Sequence, residues 1–354
     1  MHGGDIYNNI VDIDFSVNLN PYGTPGLKRI IGEAVREGIA LANAYPDIAQ
    51  SAVRSAIADS ERIDSGCVVA GNGASELIMA VAGMCAPKRA LLVEPCYSGY
   101  EYALKAAGCS DIKRYYVQED DGFVLTADVL DAITPEEDMI FLADPANPTG
   151  QNIDNDLLAG ILEKSCDENI TVVLDNSFYM LSDKYLQCTG ENMADWIQKY
   201  PNLFIIVSYT KCFALPGIRM GYAVSSSNNV SRLREHLPEW NLSSVSSALM
   251  CSLSAVADDG GFYRNSISMI QHERAFLTER LSETGLKPFE SNTNFILFKG
   301  QQDIYEKLLE DRIMIRKCLD YNGLDERFYR TAVRCREDNI RLADSLAGIV
   351  RKNG

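Results

Sequence analysis

The sequence predicts an α/β protein with a large, mostly parallel sheet covered by helices and a smaller αβ C-terminal domain. Three observations carry this. The chain has 354 residues, 46% hydrophobic and 23% charged, which is enough for about two globular cores. From about residue 66 to 224, short apolar runs rich in β-branched residues alternate with stretches of helical periodicity. After about residue 230 a long helical segment gives way to a shorter αβ pattern.

The strands predicted for the large domain are CVVA (67–70), RALLV (89–93), IKRYYV (112–117), MIFLAD (139–144), ITVVL (170–174) and LFIIVS (203–208). Between them SELIMAVAGMCA, YSGYEYALKAAG and LLAGILEKSCDEN place apolar residues three and four apart, as amphipathic helices do. Near-continuous apolar strands alternating with helices form parallel sheets covered on both faces. The small domain starts from the helix NSISMIQHERAFLTERLSE and continues through NFILF, a helix near 302–310, IMIR, YRTAV and a closing helix. The division expected is an N-terminal arm over 1–35, a large domain over 36–235 and a small domain over 236–354.

Composition narrows the partners. With 33 Lys+Arg against 49 Asp+Glu the formal charge is -16, which repels nucleic acid and acidic membranes. No apolar run reaches the ~18 residues a membrane helix needs. The N-terminal residues, MHGGDIYNNIVDIDF, lack the basic and apolar regions of a secretion signal. The ten cysteines form no CxxC pair and have no histidine at ligand spacing, so free thiols, no metal site and a cytoplasmic location are expected.

In open parallel sheets, ligands bind beyond the carboxyl ends of strands. Lys211 follows LFIIVS in YTKCFALPGIRMGY, where partial desolvation would favour a neutral, nucleophilic amine; a surface SxxK cap is the alternative. CVVA runs into GNGASELI, whose Gly71 and Gly73 permit either a phosphate-binding helix start or an ordinary turn. Asp175 ends the strand ITVVL and needs a cationic partner, either an arginine or a protonated ring nitrogen. No GxGxxG follows the first strand, which leaves a nucleotide-binding dehydrogenase poorly supported.

Taken in order, the glycine turn, Tyr97 after Pro95, NPTG (147–150), Asp175, SYTK (208–211) and GIR (217–219) resemble the aspartate-aminotransferase-like family of pyridoxal 5′-phosphate (PLP) enzymes, fold type I. The resemblance implies that Lys211 carries the cofactor as a Schiff base. It further implies that Asp175 pairs with the pyridine nitrogen, Asn147 bonds the ring oxygen and Tyr97 stacks on the ring. The cofactor phosphate would lie on Gly73, Ala74 and Ser75, with Ser208 and Arg219 completing the cradle. Tyr45, in AYPD, would reach it from a second subunit, making a homodimer.

Within that family the likeness is strongest to threonine-phosphate decarboxylases of cobalamin biosynthesis and then to histidinol-phosphate aminotransferases. HGG (2–4), DFSVNLNPYG (14–23) and IMIRKCLDYNGLDERFYRTAVR (313–334) carry it. It implies Arg330 on a substrate carboxylate, Arg316 and His2 on a substrate phosphate, and Asn20 among the substrate contacts. The expected reaction is decarboxylation of O-phospho-L-threonine or O-phospho-L-serine, with transamination of a histidinol-phosphate-like or phosphonate-bearing amino compound as the alternative. Asn176 and Ser177 replace the usual Glu-Ala after the strand-end aspartate, and PA precedes NPTG where PN is common, so substrate preference stays open.

Overall fold

The computed structural model describes residues 3–22, 25–187, 193–257 and 261–353. The arm contributes β1 (Ile13–Asp14). The large sheet is built from β2 (Val68–Gly71), β3 (Arg89–Glu94), β4 (Asp111–Tyr116), β5 (Met139–Ala143), β6 (Thr171–Asp175), β7 (Leu203–Ser208) and β8 (Gly221–Val224). Their order is β2-β8-β7-β6-β5-β3-β4. All pairs are parallel except those of β8, which runs antiparallel to both neighbours. The strand β8 was not anticipated from the sequence; no crossover helix separates it from β7, so the chain turns back and pairs antiparallel.

Successive residues of each central strand enter opposite cores. Val172 and Leu174 join one cluster and Val173 the other, as the period of two requires. Both faces are therefore covered, and all six residues of β7 are buried. The order reverses at the neighbours β3 and β5, whose onward connections leave in opposite directions. That opens a crevice at their carboxyl ends, where Tyr97 and Asn147 lie.

The small domain holds β9 (Lys287–Pro288), β10 (Phe295–Lys299), β11 (Ile313–Met314), β12 (Arg316–Lys317) and β13 (Phe328–Ala332). Four of these form an antiparallel sheet in the order β12-β13-β10-β9, while β1 pairs in parallel with β11. Residues 12–15 of the arm thus bond along the small domain. Leu242, Leu249, Leu253 and Ile270 pack into the large-domain core, whereas Leu277 and Leu281 belong to the small one. The two cores divide inside the helix Gly261–Glu283 rather than at residue 235, because one continuous helix spans both. Likewise the helix Pro25–Ala40, which begins within the expected arm, places Leu27 and Ala34 in the large-domain core.

Phe123 of the large domain stacks edge-on against Phe289 and Phe328 of the small one at 4.9 and 5.9 Å. Cys318 and Tyr321 join the same apolar cluster, which fixes the loop between β12 and β13 against the crevice. Among the described residues no helix is long and apolar enough to cross a membrane, and no group of three or more His, Cys, Asp or Glu could hold a metal ion. The nine described cysteines are free thiols.

Candidate active site

A cleft of about 260 Å³ opens at the crevice, lined from both domains and from the arm. Lys211 stands in the helical turn Tyr209–Cys212 directly after β7. Its amine is lowered to about 8, chiefly by burial and then by repulsion from Arg330 and Arg219, with Asp175 opposing. The site therefore raises the share of the neutral, nucleophilic form above that of a solvated lysine.

Asp175 ends β6. Burial raises its carboxyl, while hydrogen bonds to Ser177 and Tyr100 resist the shift. The Tyr100 hydroxyl donates to Oδ2 at 2.6 Å and the Ser177 amide to Oδ1 at 2.9 Å. Tyr100 in turn meets Tyr97 edge-on at 5.5 Å and stacks on Phe141 at 5.0 Å. Tyr100 was missed in the sequence; it lies three residues after Tyr97, in the first turn of the helix Gly99–Ala106, with its backbone amide donating to the Tyr97 carbonyl at 3.1 Å.

The helix start expected to hold a phosphate is shaped by two glycines. Gly73 has φ +83°, and a Cβ there would stand 2.7 Å from Arg219 Nη2. A Cβ on Gly221 would come within 2.9 Å of the Ala74 amide nitrogen. Both positions require glycine. They let Arg219 and the first amides of the helix Ala74–Cys85 converge on one spot, an anion site by charge and by unpaired donors. Ser75 and Ser208 line the same end of the cleft.

At the opposite end, Asn147 Oδ1 accepts from Arg330 Nη1 and from the Tyr321 hydroxyl, the latter at 3.2 Å. Asn147 lines the cleft. Arg330 also donates through Nη2 to the Ser16 carbonyl at 2.9 Å, while its Nε has no partner. Arg330 is 6% exposed, and no ion pair to a carboxylate is seen for it among the described residues. Arg316 is equally buried but is held by Asp320 through two contacts of 2.8 and 2.9 Å.

The remaining expectations divide. Asn20 does not line the cleft: its amide donates to the Cys212 carbonyl and to Ser266, both at 2.9 Å, and its oxygen takes the Tyr22 amide. It fastens the arm beside Lys211, whose carbonyl accepts the Asn20 amide. Asn18, two residues earlier, lines the cleft with a buried, unpartnered Oδ1. Tyr45 is 81% exposed, packs its ring at a tilt against Trp240 at 4.7 Å and does not line the cleft of its own chain. His2 lies outside the described residues. Asn176, where the related motif has glutamate, buries a neutral amide whose Oδ1 lacks a partner.

These groups fit PLP. A buried carboxylate awaits a cation, a glycine-lined helix start awaits a phosphate, and a buried amine of lowered basicity stands between them. The family model of aminotransferases of class I and II matches residues 11–346. The chain is 32% identical over 345 residues to the threonine-phosphate decarboxylase of Salmonella typhimurium, covering 96% of this chain and 91% of that one. It is 28% identical to the histidinol-phosphate aminotransferase of Ruminiclostridium cellulolyticum, over 95% and 92% of the two chains. The crystal structure of the histidinol-phosphate aminotransferase from Clostridium acetobutylicum superposes with a TM-score of 0.85 at 25% identity, covering 96% of this chain and 99% of that one.

Proposed function

Because this chain belongs to the aminotransferase class I and II family and is a PLP-dependent enzyme, we propose that it decarboxylates a small phosphorylated amino acid, O-phospho-L-threonine or O-phospho-L-serine. The observation that carries the reading is Arg330: a guanidinium buried in the cleft, with one nitrogen unsatisfied and no carboxylate partner among the described residues. A buried cation without an anion is costly, and a substrate carboxylate supplies one in bidentate geometry. Arg316, opposite Arg330 on the neighbouring strand, supports a second anionic group on the substrate.

When bound, the cofactor supplies an electron sink for charge developing at the substrate α-carbon. Asp175, whose carboxyl accepts hydrogen bonds from Tyr100 and Ser177, would be the partner that holds a protonated pyridine nitrogen. The Lys211 amine carries the proton to and from the reacting carbon. Arg330 would hold and orient the substrate carboxylate in the cleft, and so set which group at the α-carbon is placed to leave. Carboxylate placement thus selects between loss of CO₂ and loss of a proton.

A second reading, transamination of a histidinol-phosphate-like or phosphonate-bearing amine, is favoured by the 28% identity to a histidinol-phosphate aminotransferase. To separate them, the purified yellow protein is given each phosphoamino acid with and without 2-oxoglutarate. Release of CO₂ without a keto acid supports decarboxylation, and glutamate formation supports transamination; turnover of neither substrate by either route overturns the main reading. The same reading makes the enzyme a cytoplasmic homodimer in which Tyr45 of one subunit reaches the cofactor phosphate of the other. The exposed Ile39, Leu41, Tyr45 and Ile48 supply an apolar surface for that contact.

A further inference from the structure

Arg316 and Arg330 are cross-strand neighbours on β12 and β13, so both side chains leave the same face of the sheet a few ångströms apart at their roots. Two buried guanidinium groups so placed repel each other, and left to themselves would share one anion. They are kept to different partners: Asp320 holds Arg316, and Tyr321 touches each guanidinium with a different part. Its ring face lies 5.3 Å from the Arg316 guanidinium carbon. Its hydroxyl donates to Asn147 Oδ1 at 3.2 Å and lies 3.4 Å from Arg330 Nη1.

The loop holding this ring is pinned on every side. The Tyr321 amide donates to the Cys318 carbonyl at 3.1 Å, and the Leu324 amide to the Tyr321 carbonyl at 3.1 Å. Asn322 reaches across the domain boundary to Glu94 Oε1 at 2.9 Å, and Glu94 is itself buried at the end of β3. Gly323 has φ +86°, with the Tyr116 ring 3.0 Å from where a Cβ would stand. Asp320 holds Arg316 from the side. The phenol thus contacts both cationic centres from a hydrogen-bonded loop, and its hydroxyl is one of the two donors that fix the orientation of the Asn147 amide.

We propose that Tyr321 is the specificity-determining residue of the cleft: it keeps Arg316 and Arg330 apart as two separate anion sites and locks Asn147, so that amino acids bearing a second anion beyond the carboxylate are preferred. This rests on the function proposed above for its substrate class. The hydroxyl and the ring have distinct duties. The hydroxyl braces Arg330 and Asn147 at the carboxylate end, and the ring carries Arg316 at the end where a phosphate binds.

The test compares Tyr321→Phe and Tyr321→Leu holoenzymes with the wild type in two ways. One is the specificity constant for O-phospho-L-serine relative to L-serine. The other, which needs no substrate, is the pH at which the visible absorbance of the Lys211–cofactor chromophore titrates. Tyr321→Phe is expected to move that midpoint upward, since an Asn147 left with only Arg330 of its two donors is held less firmly and donates less well to the ring oxygen, and to raise KM for the phosphoamino acid about tenfold. Tyr321→Leu is expected to add a loss of about tenfold in the preference for the phosphorylated substrate. A merely structural residue would lower cofactor content and thermal midpoint while leaving the preference ratio and the chromophore midpoint in place; that result overturns the proposal. Should the wild type turn over no phosphoamino acid, the proposed function falls. The chromophore midpoint then decides alone, an upward move in Tyr321→Phe supporting the role of Tyr321 and an unmoved one refuting it.

Discussion

The reactivity of Lys211 can be predicted from its surroundings. Its amine is lowered from 10.5 to about 8. At pH 7 such an amine is neutral in ~10% of molecules, against ~0.03% for a solvated lysine, a ~300-fold gain in the nucleophilic form. The perturbation is pH, applied to cofactor-free protein mixed with PLP and trapped with borohydride after fixed times. A blocked lysine treated in parallel corrects for titration of the cofactor itself. The rate of trapping at Lys211 should rise with pH and level off above a midpoint near 8, since only the deprotonated amine attacks. Arg330 repels the ammonium form and Asp175 attracts it. Arg330→Met should therefore move the midpoint up and Asp175→Asn should move it down. A wild-type midpoint near ~10, or shifts of the reverse sign in the two variants, would refute the electrostatic account. The linked effect on stability has a definite sign. Between about 8 and 10.5 the unfolded chain keeps a proton that the folded one has released, so the cofactor-free protein gains stability as pH rises through that window.

Three further outcomes are expected. Arg330→Ala should keep the yellow colour but lower kcat/KM by about 100-fold, from roughly 3 kcal/mol of lost carboxylate binding; steady-state kinetics on the identified substrate checks it, and a change within about threefold would show the carboxylate site to lie elsewhere. Gly73→Ala forces a side chain into φ +83° and against Arg219, so PLP affinity measured by fluorescence titration should fall about tenfold or more. Asp175→Asn should retain bound cofactor yet lose at least about 100-fold in kcat, with the absorbance spectrum showing that the cofactor is still in place.

The motifs that sit in the turn after a strand were legible before any coordinates. Lys211, Asp175, Asn147, Tyr97 and the Gly73 turn each follow an apolar run, and a run of that kind ends at the same edge of a parallel sheet as its neighbours. Their convergence is a consequence of topology, so their order along the chain was enough to suggest a shared cofactor. Strand limits were legible to within about two residues because burial on both faces demands unbroken apolar stretches. The antiparallel β8 was not, since four residues preceded only by the single helical turn Tyr209–Cys212 leave little periodicity to read.

What the tertiary structure alone decided concerns side chains whose neighbours are far away in sequence. Asn18 and Asn20 are two residues apart in one motif, yet one lines the cleft while the other is consumed by Cys212 and Ser266. Arg316 and Arg330 look alike in sequence, but one meets Asp320 and the other is left without an anion among the described residues. Tyr100 and Tyr321 acquire their roles only where Asp175 and Asn147 come within hydrogen-bond reach. Burial, partner and charge at these positions depend on how strands pair and domains meet. A linear pattern specifies which edge of a sheet a residue occupies; the packing around that edge determines which atom it touches.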